Sequence, residues 1–254
     1  MSNTPGPLAF GLLVLAAAVA GFVDSIAGGG GIITLPALLA AGLPPHLALG
    51  TNKLQSSFGS LAATLRYRAA GAIRIRDILP GLAATAAGAA LGAVAVGAID
   101  PAFLRVLIPI LLACILAFLA LRPRFGASAG KRLVAPLPFW LGAGLVLGFY
   151  DGFFGPGVGT FWAIALVSLA GLDLGAATAN TKAVNFASNV VSLGVFLAAG
   201  TVVAPLGLAM GAAQAVGALA GSRMVLKNGA PFVRVVLMVM TAGMIAYLVA
   251  RYWL

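Results

Sequence analysis

Long apolar runs alternate with short polar or glycine-rich interruptions along this chain. The stretches 8–23, 78–99 and 103–121 approach or reach the ~20 residues that cross a bilayer core. The first run is followed by a break at Gly28-Gly29-Gly30-Gly31, a short apolar piece over 32–41, and three longer predicted helices at 46–66, 77–99 and 102–121. The same order returns with a break over 155–159, a short piece over 160–170, and helices at 174–198, 205–226 and 232–252. Asp100-Pro101 reads as an N-cap with proline in the first turn, and Asp77 and Asp173 sit where a helix start favours negative charge. The pattern predicts an all-α integral membrane protein. The first run has no basic leader and no cleavage site after it, so it is expected to belong to the mature fold.

The recurrence extends to individual residues. Gly21-Phe-Val-Asp-Ser-Ile-Ala-Gly-Gly-Gly returns as Gly148-Phe-Tyr-Asp-Gly-Phe-Phe-Gly-Pro-Gly, which sets Asp24 against Asp151. Thr51-Asn52-Lys53 faces Asn180-Thr181-Lys182, Gly88 and Gly92 face Gly217 and Gly221, and Phe103-Leu-Arg105 faces Phe232-Val-Arg234. Residues 1–127 and 128–254 therefore read as two related membrane repeats forming one transport unit.

Charge then fixes their relative orientation. With 62% hydrophobic and 8% charged residues, far below the roughly 25% charged of soluble domains, no polar shell covers this chain in water. Eleven of fifteen Lys and Arg fall in three clusters: Arg66, Arg68, Arg74 and Arg76; Arg122, Arg124, Lys131 and Arg132; Arg223, Lys227 and Arg234. Basic clusters beside apolar spans mark cytoplasmic connections, so the net charge of +10 calls for no nucleic-acid partner. The connection after the 46–66 helix is basic, whereas its counterpart, Gly200-Thr-Val-Val-Ala-Pro205, carries no charge. The next connection shows the reverse. Equivalent loops thus lie on opposite sides, and the repeats have inverted topology. Each contributes a re-entrant helical hairpin, made of its first helix and the short piece, plus three transmembrane helices. At ~1.5 Å per residue the short pieces reach ~16 Å, half of a ~30 Å core.

Non-helical backbone at membrane depth is tolerated only where protein or water covers it, so matched breaks in inverted repeats mark a central site. Gly29, Gly30 and Gly31, and Gly157 and Gly159, precede half-helices whose free N–H groups and positive dipole ends suit an anion. The two breaks are expected to meet near the bilayer midplane, with Gly30 and Gly157 within a few residues' reach of each other. Lys53 and Lys182 are candidate cation centres, and Asn52, Gln55, Asn180, Thr181 and Asn185 are candidate donors to the anion, with Ser56, Ser57, Ser188 and Asn189 nearby. Asp24 and Asp151 serve proton coupling or lysine pairing, since unpaired charges at membrane depth are costly. The alternative is structural Lys–Asp pairing, with Lys182 holding Asp151. Gln214 and Thr85 are second-rank pore candidates, and His46 is left outside the site. Trp140, Trp162 and Trp253 serve as interfacial anchors or packing. One Cys, one His and no Glu leave no expected metal site, cofactor or intrachain disulfide.

Asp24-Ser-Ile-Ala-Gly-Gly-Gly-Gly31, Leu35-Pro36 and Ala48-Leu-Gly-Thr-Asn-Lys53 resemble the TauE/SafE sulfite-exporter family over nearly the whole chain. That resemblance implies a multi-pass protein of the bacterial-type inner membrane carrying sulfite, sulfonates or related organosulfur anions. The expected activity is secondary transport by alternating access, with a small anionic substrate and the lipid bilayer as partners. A homo-oligomer is left open. A passive anion channel uses the same residues. An intramembrane enzyme would need a base, metal set or nucleophile constellation, and the chain offers none.

Overall fold

The computed structural model describes residues 5–121 and 130–252, and every described element is helical. Arg122, Arg124 and Trp253 lie outside the described residues, as does the side chain of Arg234. The order is α1 (Pro7–Ala27), α2 (Gly30–Ala40), α3 (Pro45–Ala69), α4 (Ile75–Gly97), α5 (Pro101–Leu121), α6 (Pro136–Phe153), α7 (Val158–Ser168), α8 (Leu174–Ala198) and α9 (Ala204–Tyr252).

Local chemistry explains these bounds. Proline opens α1, α3 and α6, where its missing N–H costs nothing. Asp173 caps α8 by accepting from Gly175 and Ala176 N–H at 2.9 and 3.0 Å. Asp100 does the same for α5, accepting from Ala102 N–H at 2.6 Å. α3 and α8 end alike: Ala72 N–H donates to Tyr67 O and Thr201 N–H to Phe196 O, each at 2.9 Å, wrapped around a left-handed glycine at 71 or 200. The predicted connection between 226 and 232 is not a loop. A single non-helical residue, Gly229, breaks α9 ahead of Pro231.

Among the described residues, four helices, α1, α4, α8 and the Ala204–Val233 part of α9, are long and apolar enough to cross a membrane. Burial runs opposite to that of a water-soluble protein. Leu12, Leu91 and Val94 are 59%, 62% and 60% exposed, while Lys53 and Lys182 are 1% and 0% exposed. These exposed apolar side chains face lipid while Lys53 and Lys182 face inward, as the cost of lysine in hydrocarbon requires.

Packing exchanges early and late elements. α1 lies along α9, α4 along α6, and α3 on both α8 and α9. Glycines set these crossings: a β-carbon at Gly88 or Gly92 of α4 would overlap backbone at Leu145 or Phe149 of α6. Gly217 and Gly221 of α9 stand likewise against Ala18 and Phe22 of α1. Without a water-driven hydrophobic force between helices, such close approach supplies the attraction. Gln214 and Thr85 belong to the same crossings. Gln214 fills the space over Gly59 and its backbone meets Gly21, while Thr85 packs on Gly144 and Gly148, so neither lines the central cavity described below.

Two apolar clusters sheathe the short helices. Leu35 and Leu38 of α2 join Leu13, Leu49 and Phe196 in one. Trp162 and Leu166 of α7 join Tyr67, Phe139 and Trp140 in the other. Trp140 and Trp162 are therefore packing residues within the protein.

Candidate functional site

The two glycine-rich breaks meet. Gly28 leaves α1 at φ 70, ψ 142, and a β-carbon there would lie 2.5 Å from the carbonyl carbon of Gly159. Only glycine on both sides permits this contact. Opposition runs through Gly28 and Gly159, and a β-carbon on Gly31 would lie 3.3 Å from Pro156 Cα, so Gly30 and Gly157 each stand within a few residues of the contact, as expected. A β-carbon at Gly30 would instead meet Asp24 Cβ at 2.9 Å. Gly30 is thus packed against the end of α1, and α2 starts two residues earlier than the predicted 32–41.

Beside this contact lies a polar cavity of about 30 Å³, walled by Asp24, Gly29 and Gly31 from the first break and by Asp151, Gly155, Gly157, Val158 and Gly159 from the second. α3 adds Asn52, Lys53 and Ser56, and α8 adds Asn185 and Asn189. α3 and α8 reach one space because the two helices pack on each other, and of these residues Ser56 and Asn185 stand at matched positions.

Two ion pairs cross between distant parts of the chain. Lys53 Nζ donates to Asp151 Oδ1 at 2.5 Å and to Asn189 Oδ1 at 3.3 Å. Lys182 Nζ lies 3.2 Å from Asp24 Oδ2 and also donates to Asp24 O. The alternative reading, with Lys182 holding Asp151, is corrected in its partners: each lysine reaches the aspartate of the other break. Side by side, α3 and α8 turn Lys53 and Lys182 toward opposite hairpins.

The aspartates differ in their second oxygens. Asp24 Oδ1 accepts from Gly29 and Gly30 N–H at 3.0 and 3.1 Å, placing a carboxylate on the N-terminus of α2. Asp151 gives nothing to α7. Its Oδ2 accepts the hydroxyl of Ser188. The first turn of α7 has no acidic cap at its positive dipole end, and its Val158 and Thr160 N–H groups donate to Gly155 O and Gly157 O at 3.1 and 3.0 Å.

Amides complete the wall. Asn52 Oδ1 accepts from Thr34 Oγ1 at 2.6 Å and Gln55 Nε2 at 2.8 Å, which leaves the Asn52 amide N–H groups for the cavity. Asn185 Oδ1 is buried without a partner.

A family model described as Sulfite exporter TauE/SafE matches residues 13–248. The chain belongs to the TauE/SafE family. It is 44% identical over 256 residues to "Probable membrane transporter protein ORF9" of Sinorhizobium sp, covering 97% of this chain and 98% of that protein. It is 42% identical over 242 residues to "Probable membrane transporter protein YfcA" of Escherichia coli strain K12, covering 95% and 90%. A Haemophilus influenzae "Probable membrane transporter protein" is 40% identical over 231 residues, covering 91% of each chain. No solved structure matches significantly. This is a multi-pass inner-membrane transporter.

Not every candidate of this TauE/SafE chain lines the central cavity. Gln55 stands behind Asn52, and Thr181 Oγ1 donates back to Ala177 O at 2.8 Å. Lys182 is buried beneath Asp24. Asn180 opens into a different, larger cavity, with its Nδ2 bonded to Ala176 O at 2.8 Å. His46, outside the site, has Nε2 3.1 Å from Val96 O.

Several supporting residues were not read from the sequence. Tyr67 donates to Ser25 O at 2.8 Å and Tyr150 to Pro156 O at 2.7 Å, so each break has a tyrosine tied to its backbone. Thr34 orients Asn52, and Thr160 reaches Gly28 O at 3.3 Å. The available signal was a threonine shortly after each glycine run.

Proposed function

We propose that this chain is a secondary transporter that carries a small sulfur-containing oxyanion through the cavity between the two breaks. Residues 1–127 and 128–254 act as inverted repeats that expose this cavity to each side in turn. The meeting of two matched glycine-rich breaks around a polar cavity carrying Lys53 is the observation on which the reading rests. Inversion draws support from charge: α3 carries Arg66 and Arg68 in its last turn, while α8 has no basic residue there.

A cavity of about 30 Å³ holds little more than a water or two. An oxyanion enters only when the walls from α2 and α7 separate. Its oxygens then meet the positive dipole end of α7, the Asn52 amide and the Lys53 ammonium. In the closed arrangement Asp151 already neutralises Lys53, so anion and carboxylate compete for one cation. Protonating Asp151 removes that competitor. Anion and proton binding therefore reinforce each other, and a proton accompanies the anion.

The test is flux of radiolabelled sulfite, taurine and sulfoacetate into proteoliposomes, with and without a pH gradient. Saturable uptake of at least one, accelerated by the gradient and lowered at least about tenfold by Asn185→Ala, is expected. Absence of flux for all three would remove the substrate class. Flux that never exceeds the substrate's own gradient would make the protein a passive channel.

A further inference from the structure

A second cavity, of about 590 Å³, opens where the α3–α4 connection, the approach to α6 and the α7–α8 connection converge. Its size falls in the range of small-molecule sites. It shares no residue with the central cavity.

Its rim is basic. Arg74 and Arg132 line it together with one acidic residue, Asp77. Among the described residues neither arginine has a carboxylate within ion-pair distance. Arg132 is held in place by backbone. Leu133 and Val134 N–H both donate to Leu169 O, at 2.9 and 3.2 Å, pinning this segment to the end of α7.

Its wall is aromatic and fixed. Trp140 stands with Phe139 edge-on at 5.2 Å and Trp162 at 6.0 Å. A β-carbon at Gly81 of α4 would overlap the Trp140 ring, so the indole lies directly on that helix. An immobilised indole beside guanidinium groups is the composition of a binding hot spot. Asn180, buried, forms part of the lining two residues before Lys182 and five before Asn185 on the same helix. Five residues of helix correspond to about 7.5 Å, so the cavity stops one to two turns short of the central one.

We propose that this cavity is a recognition antechamber for an organic anion, with its oxyanion head at Arg74 and Arg132 and a short apolar body against Phe139 and Trp140. Selection between organic and inorganic oxyanions is made here, before the substrate reaches the break-lined site. The inference rests on the anion-transport reading for its place on the path, although binding at the antechamber is measured without flux.

The experiment is calorimetric titration of the full chain in phosphatidylcholine nanodiscs with sulfate, methanesulfonate, butanesulfonate and hexanesulfonate, empty discs being subtracted. Affinity is expected to rise by about threefold to fourfold per added methylene, the usual gain for burying that group, with sulfate weakest. Arg74→Gln with Arg132→Gln should weaken every alkyl sulfonate at least about tenfold, and both positions are exposed enough to tolerate the change. Trp140→Phe should flatten the chain-length dependence while leaving methanesulfonate nearly unchanged. Equal affinity for sulfate and hexanesulfonate, or normal binding by the double arginine variant, overturns the proposal. Loss of hexanesulfonate binding in phosphatidylglycerol discs also overturns it, because the cavity would then hold a lipid headgroup. Intact sulfonate binding with no flux would count against the transport reading and leave the antechamber standing.

Discussion

Lys53 and Asp151 meet at 2.5 Å although 98 positions separate them, and their side chains are only 2% and 4% exposed. Lys182 and Asp24 form the reciprocal pair at 3.2 Å. The charges that membrane burial penalises most are thereby used to join the two breaks.

Removing one member of the first pair strands the other in a buried site, at a cost of about 3–5 kcal/mol. Lys53→Met and Asp151→Asn should each lower the melting temperature in detergent, and the double variant should recover most of the loss. Asp24→Asn should not rescue Lys53→Met. Rescue by the wrong aspartate would contradict the crosswise pairing.

The two pairs should not cost the same. The Asp24 side chain is 17% exposed against 4% for Asp151, and Asn at position 24 can still accept from Gly29 and Gly30 N–H. Asp24→Asn is therefore expected to destabilise less than Asp151→Asn, which also weakens the acceptor of the Ser188 hydroxyl. Melting temperatures of the two single variants, compared directly, decide the order.

Gly28→Ala puts a methyl 2.5 Å from Gly159 backbone at φ 70, ψ 142, a backbone region costing a non-glycine residue about 1–3 kcal/mol before any clash. Backbone on the opposing break cannot step aside as a side chain would. The variant should fold poorly or lose flux, whereas Gly11→Ala on α1, with nothing within 4 Å of the new methyl, should gain up to about 1 kcal/mol of helix stability. Fluorescence-detected size exclusion after a temperature ramp reads both.

Inversion has its own check. Ala70 and Ala199 follow α3 and α8 at equivalent C-caps, and both are exposed. In a Cys114→Ser background, Ala70→Cys should react with an impermeant thiol reagent from the cytoplasmic side and Ala199→Cys from the other. Labelling of both from one side would rule out inverted repeats.

Much of the architecture was legible because it depends on neighbours in sequence. α8 begins and ends at its predicted residues, with Asp173 supplying the cap. α2 and α7 start two residues earlier than expected, because Gly30 and Gly31, and Val158 and Gly159, enter the first helical turn instead of remaining in the break. The exchange of lysine partners was not legible. Sequence places Asp24 and Lys53 in one repeat and Asp151 and Lys182 in the other, and only the packing of α3 on α8 turns each lysine to the distant hairpin. Similarly, the antechamber gathers Arg74 and Arg132 from two connections and Asn180 from α8, whose proximity no local pattern encodes.

The lengthwise pairing of α1 with α9 also bears on how the chain is made. α1 leaves the ribosome roughly 180 residues before α9 begins, which at ~5–20 residues per second leaves it about 9–36 s without its partner. During that interval the surface around Ala18 and Phe22, shaped to receive Gly217 and Gly221, faces lipid or the insertion machinery. The nascent protein thus holds its first helix in waiting until α9 has been made.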